Sequence, residues 1–216
     1  MSISPRVGIL GGTFDPIHLG HLEAASAARN ALRLDRVLLL PSRTPPHRSL
    51  EPRASVYHRF AMTALAANGR EGMLASDLEL RRDGPSYTAL TLEALEQEGF
   101  SPSQLFFIIG ADAFAEIGTW YDYPRLLNRA NFAVISRPGA PLPQTDRTPD
   151  PRPLTPGASP STSVLYVDAA TPDVSSTDIR RRVASGESIE GLVPHGVAEH
   201  IRRHQLYRPA SVPAVM

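Results

Sequence analysis

The sequence predicts an α/β fold, a doubly wound and mainly parallel sheet. Three observations lead there. Short, purely apolar runs stand at Val7–Leu10, Val37–Leu40 and Leu105–Ile109. Helical patterns of about ten to fifteen residues separate such runs. Glycines or prolines mark the junctions. Strands alternating with helices of that length argue for right-handed βαβ units.

Val7–Leu10 reads as the first strand and ends in Gly11-Gly12. From His18 to Leu32, apolar or small residues at Leu22, Ala25, Ala28 and Leu32 give a helical spacing. Val37–Leu40 is a second buried strand, stopped by Pro41. Arg59–Asn68 reads as a helix closed by Gly69, with Phe60, Ala64 and Ala67 on one face. Met73–Leu80 reads as a more exposed strand, and Thr88–Glu98 as a helix closed by Gly99. Leu105–Ile109, Phe132–Ile135 and Val164–Val167 complete the strands, and a short helical part ends the chain. Between Pro138 and Pro160 lie eight of the 21 prolines, with almost nothing large and apolar. A flexible Pro-rich insertion at about 139–163, inside one domain spanning 1–216, is expected.

Composition narrows the chemistry. The chain has 216 residues, 42% hydrophobic and 20% charged, as a soluble globular protein would. Its 22 basic residues balance 22 acidic ones, which argues against a broad basic surface for nucleic acid. All 22 are arginine, so a Walker A lysine and a Schiff-base lysine are excluded. Cysteine is absent, which excludes disulfides, thiolate metal sites and cysteine nucleophiles. No apolar run is long enough for a membrane span, and Met1–Arg6 holds no signal-peptide core. A cytoplasmic location is expected.

In an open α/β sheet, ligands bind beyond the carboxyl ends of the strands. The segment after the first strand is Gly11-Gly12-Thr13-Phe14-Asp15-Pro16-Ile17-His18-Leu19-Gly20-His21. Glycines admit close backbone approach. His18 and His21, three apart at a helix start, share one face where the helix dipole favours an anion. Gly20 leaves room for a flat ring. Near the carboxyl end, Ser175-Ser176-Thr177-Asp178-Ile179-Arg180 opens another helix, followed by Arg181 and Arg182. Ser175 with Asp178 is a plain capping pattern. Three arginines in the first turns oppose the dipole, and a polyphosphate held by Ser176, Thr177 and the fork of Arg180 would resolve that conflict.

These two motifs resemble the nucleotidyltransferase superfamily of the (His/Thr)-x-Gly-His type, with its Rossmann-like fold. Intervening residues narrow the resemblance to the bacterial nicotinate-nucleotide adenylyltransferases. They are Pro45-Pro46-His47-Arg48, Ser86-Tyr87-Thr88-Ala89-Leu90-Thr91-Leu92, Phe107-Ile108-Ile109-Gly110-Ala111-Asp112 and Thr119-Trp120-Tyr121. Arg48 stands where many members carry lysine, and Leu90 where many carry an acid. The resemblance implies adenylyl transfer from ATP to nicotinate mononucleotide. The substrate's own phosphate attacks, so placement and charge stabilisation suffice. It implies Mg²⁺ arriving with ATP, and no metal held by the protein.

On that resemblance, His18, His21 and Arg180 are the catalytic candidates. His21 is assigned to the α-phosphate, His18 to the triphosphate and Arg180 to the β/γ-phosphates. Gly11, Gly12, Thr13, Phe14, Gly20, Gly110, Asp112, Ser176 and Thr177 join Arg180 as ATP-binding candidates. Thr13, His47, Arg48, Thr88, Trp120 and Tyr121 are the candidates for the mononucleotide, with Trp120 stacking on the pyridine ring. Asp112 reads equally as a ribose or backbone partner at the crevice and as a helix N-cap. His200 and His204, four apart, have zinc-ligand spacing but read better as a solvated terminal helix. Tyr57 and His58 read as structural.

Pantetheine-phosphate adenylyltransferase would share His-x-Gly-His but not Ser86-Tyr87-Thr88 together with Thr119-Trp120-Tyr121. A class I aminoacyl-tRNA synthetase is excluded by length and by the missing lysine-rich second signature. A non-catalytic nucleotide-binding protein would tolerate loss of His18, His21 or Arg180, and all three are present. Partners are expected to be the two small molecules, without nucleic acid or membrane. Whether the chain forms a homodimer stays open.

Overall fold

Along each central strand, alternate side chains belong to two different cores. In β4 (Leu105–Gly110), Phe106 and Ile108 pack with one apolar cluster, and Leu105, Phe107 and Ile109 with the other. β1 (Val7–Gly12), β2 (Arg36–Pro41) and β5 (Asn131–Ser136) divide in the same way. This is the period-two consequence of a sheet covered on both faces. The computed structural model describes residues 5–46, 52–136 and 162–209.

β3 (Met73–Ala75) and β6 (Val164–Asp168) complete a sheet of order β3-β2-β1-β4-β5-β6, with every pairing parallel. The chain winds outward from β1 to β3, then returns to β4 beside β1. The order therefore reverses between β1 and β4, the place where such sheets open a ligand crevice. Helices α1 (Leu19–Ala31) and α2 (Val56–Ala67) cover one face, with α5 (Ser176–Ser185) and α6 (His195–Arg203). α3 (Thr88–Gln97) and the short α4 (Ala111–Ala115) cover the other.

Several expectations need correction. The strand expected over Met73–Leu80 stops at Ala75, and the rest forms a turn closed by Leu80 N–H on the Asp77 carbonyl at 2.8 Å. Pro41 is the last residue of β2 rather than its stop. α2 starts at Val56, capped by the Ser55 hydroxyl, and buries Arg59, Met62, Thr63, Ala66 and Ala67. Phe60 is only half-buried and Ala64 is exposed, so the expected face is out of phase. The Pro-rich stretch lies outside the described residues except at its end. There Thr162 is buried and donates to the Leu127 carbonyl at 2.8 Å, anchoring the return to β6. Among the described residues no helix is long and apolar enough to cross a membrane.

Candidate active site

β1 runs out in Gly11-Gly12, and the chain then folds back over its own glycines. Gly12 is required: a Cβ there would meet the Phe14 ring at 2.6 Å. Phe14 itself has φ of 49°, a conformation that L side chains rarely adopt. Its buried ring meets the His21 ring edge-on at 5.0 Å. His18 is the N-cap of α1, and its ring stacks on His21 with centroids 3.7 Å apart. Gly20 makes room for that stack, since a Cβ would lie 3.1 Å from His18 Nδ1.

The His18 backbone N–H donates to His21 Nδ1 at 3.2 Å. That fixes the neutral tautomer of His21: Nδ1 accepts, so Nε2 carries the proton and is a donor. His18 is buried, and Nδ1 has no hydrogen-bond partner among the described residues. Burial lowers its pKa to about 4, so it is neutral at pH 7.

This has a consequence for stability. Below about pH 6.5 the unfolded chain takes a proton on this histidine, whereas the folded chain does so only near 4. His18 therefore costs the native state up to about 3 kcal/mol as pH falls through that window. His18→Gln should make urea-unfolding stability fall less steeply than wild type between pH 6.5 and 4. Equal slopes would show that His18 is not held neutral by burial.

Asp15 ties the loop to three distant segments. Its carboxylate accepts from the Arg53 and Ala54 amides at 2.8 and 3.1 Å and from the Tyr207 hydroxyl at 2.8 Å. Arg180 donates to the Asp15 carbonyl at 2.7 Å and to Thr177 Oγ1 at 3.1 Å. The Ser176 hydroxyl donates to the Pro16 carbonyl at 2.8 Å. The expected charge conflict at α5 is mostly settled internally. Arg181 and Arg182 pair with Asp178 and Glu187, and only Arg180 turns to the loop. Ser176 and Thr177 occupy the first two helical positions, whose amides have no intrahelical acceptor.

Two cavities open at the carboxyl ends of β1 and β4, one on each face of the sheet. The first, about 400 Å³, brings together His18, Gly20, His21, Gly110, Asp112, Ser176 and Thr177. The second, about 310 Å³, brings together Gly11, Gly12, Thr13, Thr88, Trp120 and Tyr121. Both volumes suit small-molecule sites. Gly11 and Gly12, expected beside ATP, thus border the opposite cavity. Asp112 is not an N-cap: Gly110 caps α4, and Asp112 is exposed in its first turn. Trp120 meets Phe107 edge-on at 6.1 Å, and Tyr121 stacks on Tyr87 at 4.7 Å. His47 and Arg48 lie outside the described residues.

Some contributors were missed. Glu79 borders the second cavity, buried, with its carboxylate accepting from the Thr91 hydroxyl at 2.7 Å; burial raises its pKa. Arg59 is 1% exposed and donates to the carbonyls of Thr13, Ser42, Arg43 and Ala54. Glu79 fell within the expected strand, and Arg59 opened a helix read from its apolar residues alone.

A cytidylyltransferase-like family profile matches residues 9–182. A curated protein of Desulfatibacillum aliphaticivorans, named "Probable nicotinate-nucleotide adenylyltransferase", is 40% identical over 94% of this chain and 99% of its own. One of the same name from Thermus thermophilus is 42% identical over 94% and 100%. The chain belongs to the nicotinate-nucleotide adenylyltransferase family. The nicotinic acid mononucleotide adenylyltransferase of Plasmodium falciparum, solved with NaAD, shares the fold with a TM-score of 0.71 at 18% identity. That match covers 94% of this chain and 98% of the other. In this chain the β1 loop that leads into His18–His21 meets the start of α5 through the Asp15–Arg180 contact, although 165 residues separate those two partners.

Proposed function

We propose that this adenylyltransferase moves the adenylyl group of ATP to the phosphate of nicotinate mononucleotide, giving nicotinate adenine dinucleotide and pyrophosphate. One observation carries the reading. The β1–β4 edge separates a cavity bordered by the histidine pair and the start of α5 from a cavity bordered by Trp120 and the start of α3. Two anionic substrates placed there meet at the β1 loop.

An oxygen of the mononucleotide phosphate attacks the α-phosphorus of ATP. The new P–O bond forms as the bond to the β-phosphate oxygen breaks, and that electron pair leaves with pyrophosphate. His21 Nε2–H donates to a non-bridging α-phosphate oxygen, where charge gathers. His18, neutral and buried, places the second ring against the triphosphate. Arg180 retains N–H donors beyond its bonds to Asp15 and Thr177, and they hold the β/γ-phosphates with the amides of Ser176 and Thr177. Mg²⁺ enters as part of the MgATP substrate. Among the described residues bordering the ATP cavity, Asp112 is the one carboxylate. A single acid suits an ion that keeps its waters and phosphate ligands.

The decisive assay is pyrophosphate release with ATP and nicotinate mononucleotide, nicotinamide mononucleotide or phosphopantetheine. Turnover with phosphopantetheine alone would overturn the reading. Backbone N–H groups of Thr88 and Tyr121 would donate to the nicotinate carboxylate, whereas the amide NH₂ would turn a donor to a donor. An unpaired buried donor costs roughly 1–3 kcal/mol, so the acid should be favoured by about 10- to 100-fold in kcat/KM. Trp120→Ala should weaken mononucleotide use and spare ATP binding. Trp120 is the single tryptophan, so its fluorescence should respond to nicotinate mononucleotide. Equal use of acid and amide with flat fluorescence would remove both roles.

A further inference from the structure

Away from both cavities, three histidines converge. His58 lies in the first turn of α2, His200 on α6, and His204 caps α6. His58 Nδ1 and His200 Nε2 are 3.1 Å apart, and one nitrogen from each of the three rings falls within a mutual 4.8 Å. Ring centroids stand 4.4–5.2 Å apart at interplanar angles of 43–66°, so the rings meet tilted rather than stacked. The expectation of a merely solvated terminal helix is therefore corrected: His200 is half-buried against α2, and only His204 is exposed.

We propose that His58, His200 and His204 form a binding site for a divalent transition cation of the zinc class, through three imidazole nitrogens and one open position. Tetrahedral zinc with bonds of about 2.0–2.1 Å sets its ligand nitrogens roughly 3.3 Å apart. One pair already stands close to that separation, and a nitrogen of the third ring lies within 4.8 Å of both. A hydrogen bond between two of the rings would account for the close pair but gives the third no reason to join it.

At His200 the surroundings favour neutral imidazole, the ligating form. Burial, the two other histidines and Arg203 lower the pKa of His200. Glu199 engages Arg202 and Arg203 at 3.8 and 3.4 Å, which tempers the cationic end of α6. The cation would pin α6 to α2 beside elements that frame the β1 loop. Arg59 follows His58 directly, and Tyr207, which holds Asp15, stands three residues beyond His204.

The test uses the full, untagged chain stripped with chelator and titrated with Co²⁺ as a spectroscopic probe, then with Zn²⁺ in competition. One Co²⁺ per chain with tetrahedral ligand-field absorption, displaced by Zn²⁺, is expected even in excess Mg²⁺, which prefers oxygen ligands. Zn²⁺ at about 100 times its Kd should raise Tm by about 5–10 °C. His204→Gln, at an exposed position, and His58→Gln should each weaken binding on the order of 100-fold or more. His195→Gln and His18→Gln should leave it unchanged. Failure of the wild type to take up Co²⁺ saturably, or to bind it more tightly than His204→Gln and His58→Gln, overturns the proposal.

Discussion

His21→Ala should lower kcat by about 10²- to 10³-fold, the scale for losing one preorganised donor at a developing charge. The Kd for ATP should change far less. The separation follows from the hydrogen-bonding state of the ring. His21 Nδ1 accepts from the His18 amide, so Nε2 carries the ring proton and is the atom that would donate to a phosphate oxygen. Its hold on the ground-state triphosphate is one contact among several, whereas charge at the α-phosphate grows during the step. Alanine also removes the stack on His18 and the edge contact with Phe14, so stability must be measured alongside. His21→Asn keeps a donor and an acceptor and should recover part of kcat. Near-native kcat in the alanine variant would remove His21 from the chemistry. A loss in kcat matched by an equal loss in Tm would make it a support of the loop.

What the sequence disclosed depended on how local each signal is. The central strands were legible because they are apolar on consecutive positions and buried on both faces. The histidine pair was legible because three residues bring both rings to one side of α1. The cut at Ala75 was not, since Asp77-Leu78-Glu79-Leu80 continues an alternating pattern that a turn interrupts. The expected face of α2 is out of phase because its largest fully buried side chain is Arg59, a residue type that normally marks the surface. The Asp15 hub gathers partners from residues 53, 54 and 207, and the histidine cluster joins residues 142 positions apart. Neither leaves any spacing to find. At α5 the three arginines were legible as a conflict, but the i+3 and i+4 reach of Asp178 to Arg181 and Arg182 already answers most of it.

Arg59→Met should be the most destabilising of these substitutions. The guanidinium is buried and donates to the Thr13 and Ser42 carbonyls at 2.7 Å each, and to those of Ala54 and Arg43 at 3.3 Å each. Burial pulls its pKa down, while Asp15, Tyr207 and Glu79 pull it up. Methionine keeps length and apolar bulk but strands four carbonyls and leaves the buried Asp15 carboxylate with Arg180 but without Arg59. Breaking such an arrangement from one side costs about 3–5 kcal/mol. For a chain of this size that is a fall in Tm of roughly 10–15 °C. Arg59→Lys should recover little, because one ammonium cannot span carbonyls arrayed for a planar fork. Thr13 and Ser42 border the second cavity, so the KM for nicotinate mononucleotide should rise more than that for ATP. A loss below about 1 kcal/mol, or equal rises in both KM values, would show that the loops hold their places without the arginine.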